Sequence, residues 1–330
     1  MKHGLCAALV ALAIIGCGGA RADTTIRLGQ VPSTMKSIGV VPYVIADKQG
    51  FFAREHLTVQ LVPLEGGTDQ MVKRLDAGDV EISSSATPYF IQAVAEGRSH
   101  DVAVAAATAN PIYSLMVKPG IKSFADLKGK TLGLSLGIDT ISISMRKLLA
   151  QKGLKDGDYK VKELVGTPVR FDCLKRGECD GVPLGQPEDF TALDRGFTRL
   201  GVSTDAVKHF EFTVLIVRPD WAQQNRAALI GFLRGFAAAL KYFRDPAHRD
   251  DVAKTIVATT GVSDKIARQT LALYFSPDRG VIPRAGELDL KGLAQVIAFM
   301  GEAGALKAPL PKPERFVDRR YLQAAGVRSH

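Results

Sequence analysis

The residues Gly133-Leu134-Ser135-Leu136-Gly137 are the first place in this chain where side-chain types and spacing could do chemistry. G-x-S-x-G is the spacing of a nucleophile elbow, which presents a serine hydroxyl on a sharp strand-to-helix turn. Ser135 would then be the nucleophile of a secreted serine hydrolase. Asp189 or Asp194, followed by His209, would complete the order Ser…Asp…His. The same stretch supports a non-covalent use. Thr131 to Leu134 reads as a short buried strand and Gly137 to Thr140 as a tight loop; Ile141, Met145, Leu148 and Leu149 then recur at helical spacing. A strand that stops at small hydroxyls and restarts as a helix leaves backbone N–H groups that favour an anion. Ser135, Gly137 and Thr140 are the candidate contacts for it. Gly129-Lys130-Thr131 looks like the end of a P-loop, but Phe124 stands where the first glycine belongs and no helix follows the Lys-Thr directly.

The surrounding elements must hold such a site. Thr25 to Val31, His56 to Val62, Val80 to Ser84 and Val102 to Ala107 read as strands, each followed by a turn and, after the first three, a helical pattern. Beyond Met145 the alternation continues, with strands at Tyr159 to Val165, Cys179 to Pro183 and Phe197 to Val202. Phe212 to Val217 carries the chain back, Asp220 opens one long helix reaching Phe243, and further helices follow. A Pro-rich tail from Pro309 is expected to wrap the surface. Alternating β and α elements predict an α/β fold with mostly parallel sheets flanked by helices. Nearly every strand ends in small polar residues: Ser33/Thr34, Gly66 to Thr68, Ser84 to Thr87, Thr108/Asn110 and Ser135 to Thr140. Open α/β sheets bind ligands outside those ends, although any single Ser or Thr there could serve as an N-cap.

Length and composition narrow the class. A chain of 330 residues with 46% hydrophobic and 23% charged residues suits two globular domains. Residues 1–22 read as a signal peptide, with Lys2 and His3, a short apolar run from Leu5 to Ile15, and Ala20-Arg21-Ala22 as the cleavage site. Ile14-Ile15-Gly16-Cys17 resembles a lipoprotein box, so acylation at Cys17 is an alternative to soluble export to the periplasm. Loss of Lys2 and Arg21 lowers the formal net charge from +9 to +7. The excess is scattered, without basic runs or interleaved aromatics, so no nucleic-acid partner is expected. The six histidines lack i, i+4 pairing and cysteine partners, which leaves zinc and other cofactors unsupported. Cys173 and Cys179 flank the Gly177 turn, and in an oxidising compartment they are expected to pair; two free buried thiols are the alternative.

Taken in order, Pro42-Tyr43-Val44 through Gly50-Phe51-Phe52, Gly66-Gly67, Leu75 to Asp79, Asp126 to Thr131, Arg176 to Gly181 and Phe316 to Leu322 resemble the periplasmic substrate-binding proteins of ABC importers. The resemblance is to the nitrate, sulfonate, taurine and thiamine-precursor binding group, and it covers almost the whole chain after residue 22. It implies a two-lobe, type II-like clamp, with residues 23–110 and 208–330 forming lobe 1 and 111–207 forming lobe 2. It implies a monomer that serves a membrane permease, captures a small anion such as a sulfonate or carboxylate, and is not an enzyme. Ser33, Thr34, Gly67, Thr68, Ser85, Thr87 and Asn110 would face Ser135, Gly137 and Thr140 across the cleft, with Gln186 and Glu188 beside them. Glu188 could accept from a ligand amine or cap a helix. Arg170 could pair with a carboxylate, or simply be an exposed helix arginine. Aromatic walls would come from Tyr43, Tyr89, Phe90 or Phe212. The cysteine-rich motif of the thiamine-precursor synthases is absent.

Titrating the unfolded, unreduced mature chain with a thiol reagent should find no reactive cysteine; two would end the disulfide expectation.

Overall fold

The computed structural model describes residues 23–110, 112–275 and 281–327; the signal segment and the acylation candidate Cys17 lie outside them. The first sheet is built from β1 (Thr24–Gln30), β2 (Leu57–Pro63), β3 (Ile82–Ala86), β4 (Val102–Thr108) and β10 (Thr213–Val217), in the order β2-β1-β3-β10-β4. The second comprises β5 (Ser114–Val117), β6 (Thr131–Leu134), β7 (Lys160–Glu163), β8 (Gly181–Leu184) and β9 (Thr198–Val202), in the order β7-β6-β8-β5-β9. Each sheet runs mostly one way and admits one antiparallel strand: β10 between β3 and β4, and β5 between β8 and β9. Those two strands are where the chain enters each lobe after crossing from the other. Sequence periodicity does not reveal β5, because Ser-Leu-Met-Val is buried on both faces and shows no alternation.

Twelve α-helices cover the sheets among the described residues. They are α1 (Val41–Lys48), α2 (Met71–Asp76), α3 (Thr87–Ala95), α4 (Thr140–Gln151), α5 (Thr167–Lys175), α6 (Glu188–Asp194), α7 (Pro219–Gln224), α8 (Arg226–Arg244), α9 (Arg249–Thr260), α10 (Asp264–Tyr274), α11 (Leu290–Glu302) and α12 (Arg320–Ala324). The single helix expected after Asp220 is broken at Asn225, whose backbone leaves the helical region (φ −113°, ψ 33°). From α8, Leu229, Phe232, Leu233, Phe236, Leu240 and Phe243 form one buried stripe at three- and four-residue spacing. Phe232 stacks on Phe52 at 5.5 Å and Phe236 on Tyr43 at 5.0 Å. Gly235 permits this approach, since a Cβ there would lie 2.8 Å from the Phe52 ring. Tyr43 is thus core, as is Phe90.

The tail follows the expected surface path as far as Arg315 and departs from it at Phe316. Phe316 is fully buried against Phe90, Val317 bridges Ala103 beside β4, and Tyr321 and Leu322 of α12 are buried in the core beside α8. Proline content marked the segment as irregular, but the apolar residues spaced through it decide its burial. In lobe 2 the Cys173–Cys179 disulfide closes the turn between α5 and β8, with Cα atoms 5.3 Å apart.

Asp101, just before β4, is buried with both carboxylate oxygens unpartnered among the described residues. The nearby Ser99 hydroxyl donates to Asp76 instead (3.2 Å). Burial, helped by Asp76, pushes the Asp101 carboxyl up to about 7. Folding therefore favours the protonated acid; its contribution to stability is full below the ordinary carboxylate range and lost as pH rises through about 7. Asp101→Asn should raise the melting temperature by at least about 2–4 °C at pH 8 and by much less at pH 4, where the carboxyl is largely protonated in both states. Equal shifts at both pH values would contradict this account.

Candidate functional site

A cavity of about 160 Å³ lies between the two sheets, walled by strand ends from both lobes. A cavity of roughly 150 Å³ elsewhere holds a benzene molecule, so the space suits a solute about the size of one ring. Tyr113 and Phe212, one on each crossing segment, meet edge to face at 5.9 Å, and Tyr274 at the end of α10 adds a third aromatic wall.

The polar wall of lobe 2 is built around Arg170, which is 1% exposed. The sequence allowed an exposed helix arginine; the helix instead turns it inward, where Nε donates to the Pro183 carbonyl (2.8 Å), Nη1 to the Leu164 carbonyl (3.1 Å) and Nη2 to Thr167 Oγ1 (3.1 Å). The guanidinium carries five N–H donors, so two remain for the cavity. Burial lowers the pKa of Arg170, opposed by Tyr113, Asp139 and Glu188, and a guanidinium stays charged regardless.

Asp139 is the N-cap of α4: its Oδ1 accepts from the Ile141 N–H at 2.8 Å, while Oδ2 receives the Thr68 hydroxyl at 3.4 Å from the other lobe. Burial raises its pKa against the pull of the Ile141 N–H and Arg170. The helix end that the sequence offers to a ligand's anion is thus occupied by the protein's own carboxylate. Ser142 Oγ donates to the Ser135 carbonyl at 2.7 Å, further tightening that loop. Glu188, at the start of α6, also lines the cavity; burial, with Asp189 nearby, pushes it up to about 7 against the pull of its own backbone N–H and Arg170. From lobe 1, the Gln30 Nε2 group is buried and has no partner among the described residues.

The sequence-derived candidates divide by geometry. Ser33, Thr34, Thr68, Ser135, Gln186 and Glu188 line the cavity. Gly67 does not; it sits beside Val165 across the lobes. Ser85 lies on the other face of β3, and the alternate residues Ser84 and Ala86 reach the cavity instead, a one-residue difference that a period of two makes decisive. Thr87 is fully buried, its hydroxyl donating to the Phe212 carbonyl at 3.0 Å, and Asn110 Nδ2 ties the crossing segments through the Lys208 carbonyl at 2.7 Å. Gly137 is exposed beside Glu163, and Thr140 Oγ1 is buried away from the cavity lining with no partner among the described residues. Sequence reading did not select Gln30, Tyr113, Asp139 or Tyr274. Asp139 had a usable signal, an Asp immediately before a helical pattern.

The hydrolase arrangement is not assembled. His209 is exposed and absent from the cavity lining, Asp194 pairs with Lys265 at 3.0 Å, and Asp189 is committed to Arg199. Five residues separate the end of β6 from α4, too many for a nucleophile elbow.

The lobes touch at the cavity rim. Gly166, with φ +92°, would drive a Cβ within 2.8 Å of Ser33. Lys147 of α4 pairs with Glu302 of α11 and lies 4.5 Å over the Phe299 ring. This is a closed arrangement of two halves joined by crossing segments.

A family model described as NMT1/THI5 like matches residues 37–248. The chain belongs to this family. A stretch of 96 residues, 28% of the chain, is 35% identical to a Haemophilus influenzae protein that carries a provisional thiamine-biosynthesis name; the chain spans about 30% of that relative's length. Among solved structures, the ligand-binding component of an ABC-type import system from Staphylococcus aureus, with zinc bound, is 15% identical, with 92% of this chain and 99% of that one covered at a TM-score of 0.75. The periplasmic nitrate-binding protein of Synechocystis matches at 14% identity over 92% and 88% of the two chains, TM-score 0.77. The periplasmic aliphatic sulphonate binding protein of Escherichia coli matches at 19% over 91% and 99%, TM-score 0.66. The fold is that of a two-lobe periplasmic binding protein. Among the described residues, no group of three metal-ligating side chains could hold an ion, and no helix is long and apolar enough to cross a membrane.

Gly166→Ala should wedge the rim open, because its Cβ meets Ser33 and the positive φ strains any side chain. Any small molecule that compacts the wild type in solution scattering should compact this variant only at about tenfold higher concentration or more. Equal concentrations would show that the rim contact does not govern closure.

Proposed function

We propose that the chain is the extracytoplasmic solute-binding component of an ABC importer, closing its lobes on a small molecule and delivering it, unaltered, to a membrane permease. The observation that carries this reading is the ring-sized cavity between the lobes, onto which lobe 1 brings Gln30, whose buried Nε2 has no partner among the described residues, and lobe 2 the ionisable groups of Arg170, Asp139 and Glu188. Buried polar groups are costly unless hydrogen-bonded, so these are provision for a solute. Family membership and the fold support the same reading, as do the names of the nitrate- and sulphonate-binding neighbours. The division into lobes at residues 23–110 with 208–330 and at 111–207 belongs to this proposal, as does export through the segment 1–22, with or without acylation at Cys17.

The solute is inferred to be a small polar ring that offers N–H donors to Asp139 and Glu188 and an acceptor to Arg170 or Gln30. Two carboxyl groups against one guanidinium, itself held on three sides, make a poor cage for an isolated anion. A second reading keeps the sulfonate or carboxylate. It is favoured by the two free N–H donors of buried Arg170, flanked by the hydroxyls of Ser135 and Thr167.

A thermal-shift screen over pyrimidines, amines, aromatic and aliphatic carboxylates, sulfonates and nitrate tests the function, since a ligand that binds only the folded form raises the melting point. Stabilisation accompanied by compaction in scattering is expected for one class; no stabilisation by any class, or turnover of a stabilising compound, would defeat the reading. The pH profile separates the two solute types. With Glu188 titrating at about 7, affinity for a donor or cation should rise between pH 6 and pH 8 as the carboxylate forms, by at most about tenfold per pH unit. An anion should lose affinity over the same range.

A further inference from the structure

Asp189, the second residue of α6, is fully buried and does not line the cavity. Four donors converge on it. Its Oδ2 accepts from Ser114 Oγ (2.7 Å), Arg199 Nη2 (2.7 Å) and Gln186 Nε2 (2.9 Å), and its Oδ1 from the Phe190 N–H (2.7 Å). Of these four, only Gln186 also borders the cavity. The orientation of a carboxamide follows from its hydrogen-bond network. Here the network permits one answer: turning Gln186 over would place its oxygen against a carboxylate oxygen already crowded by donors. No described group donates to Gln186 Oε1.

We propose that Asp189 is a positioning residue that locks the Gln186 carboxamide with its nitrogen inward and its oxygen toward the solute, so that this wall reads N–H donors on the ligand. The proposal rests on the cavity being a solute site and deepens that reading. Gln186 then joins Asp139 and Glu188 as a third acceptor on the lobe 2 wall, and all three lie at the starts of α4 and α6. Selectivity for donors is set outside the cavity. Arg199, on β9, holds Asp189 in place, while Ser114 carries the same anchor to β5, the strand that enters from the crossing segment.

The variants follow from the donor count. Removing the acceptor in Asp189→Leu leaves Arg199 and Ser114 without a partner, and Gln186 can satisfy them only by swinging its oxygen inward and its NH₂ into the cavity. Asp189→Asn can keep its amide oxygen at the three-donor position, losing only the bond from the Phe190 N–H, and should preserve the orientation. Benzamidine and benzoate are matched ring-sized probes, one donating and one accepting. Calorimetry should find the benzamidine-to-benzoate affinity ratio tenfold or more lower in Asp189→Leu than in the wild type, with benzoate itself binding more tightly, and a wild-type ratio in Asp189→Asn. General damage to the lobe would instead weaken both probes together and would overturn the proposal. Should Asp189→Leu not fold, Gln186→Met removes the acceptor with Asp189 intact and should lower benzamidine affinity alone.

Selective ¹⁵N labelling of glutamine reads the orientation without any ligand. In the wild type the Gln186 amide protons should show cross-peaks to the Ser114 β-protons, lost in Asp189→Leu; their absence from the wild type would refute the locked carboxamide. A protein that passes this test yet binds no solute would fail the functional reading and keep the positioning one.

Discussion

Arg170 cannot give up its charge, yet the fold places its guanidinium in a closed wall between two lobes, and much of the site follows from that constraint. Three of its donors are tied to the Pro183 and Leu164 carbonyls and to Thr167. The cation also fixes which neighbours can be tolerated. Asp139 and Glu188 lie close enough to act on its titration, and it lowers theirs in return. Removing opposite charges from water is costly unless their remaining hydrogen-bonding capacity is met, and here part of that capacity is left open toward the cavity. On the proposed function, a solute that completes the set would favour the shut lobes, because only differential affinity for that state can move the equilibrium.

The two sheets make that geometry possible by the same device. Each admits one antiparallel strand, and each such strand follows a crossing of the chain. The crossing segments are pinned together by mutual hydrogen bonds between Tyr113 and Ser203 and by the Asn110 to Lys208 contact. They also bring Tyr113 and Phe212 together as the aromatic floor. Tyr113 and Phe212 thus belong both to the joint and to the cavity wall. The charge pair Lys147–Glu302 and the pair Lys265–Asp194 lie outside the cavity and join helices of opposite lobes, α4 to α11 and α10 to α6.

The helix that begins at Thr140 shows how a correct local reading can still misplace a contact. Small residues at the end of β6 and a helix just beyond do produce outward N–H groups, as the sequence indicates. Which acceptor takes them is a separate matter. Asp139 sits one residue before the helix, and a tethered carboxylate at that distance wins over a free ligand because its positional entropy is already spent. The result is a wall that presents acceptors where local reading had expected donors. Ser84 and Ser85 make a similar point, since one residue of strand phase separates a cavity hydroxyl from one on the opposite face.

By itself the sequence determined the class of fold. Strand and helix periodicity are local properties set by φ/ψ preferences and by which side chains must leave water, and they located β6, β4 and most other elements closely. It also determined which strand ends were polar, and so brought Ser33, Thr34, Thr68, Ser135, Gln186 and Glu188 into view. Only the tertiary structure decided the inward turn of Arg170, the capture of Gln186 by Asp189, the burial of Phe316 and the strand character of Ser114–Val117. Each of these depends on a partner distant in the chain, and a pairing across tens of residues leaves no periodic trace in the residues that make it.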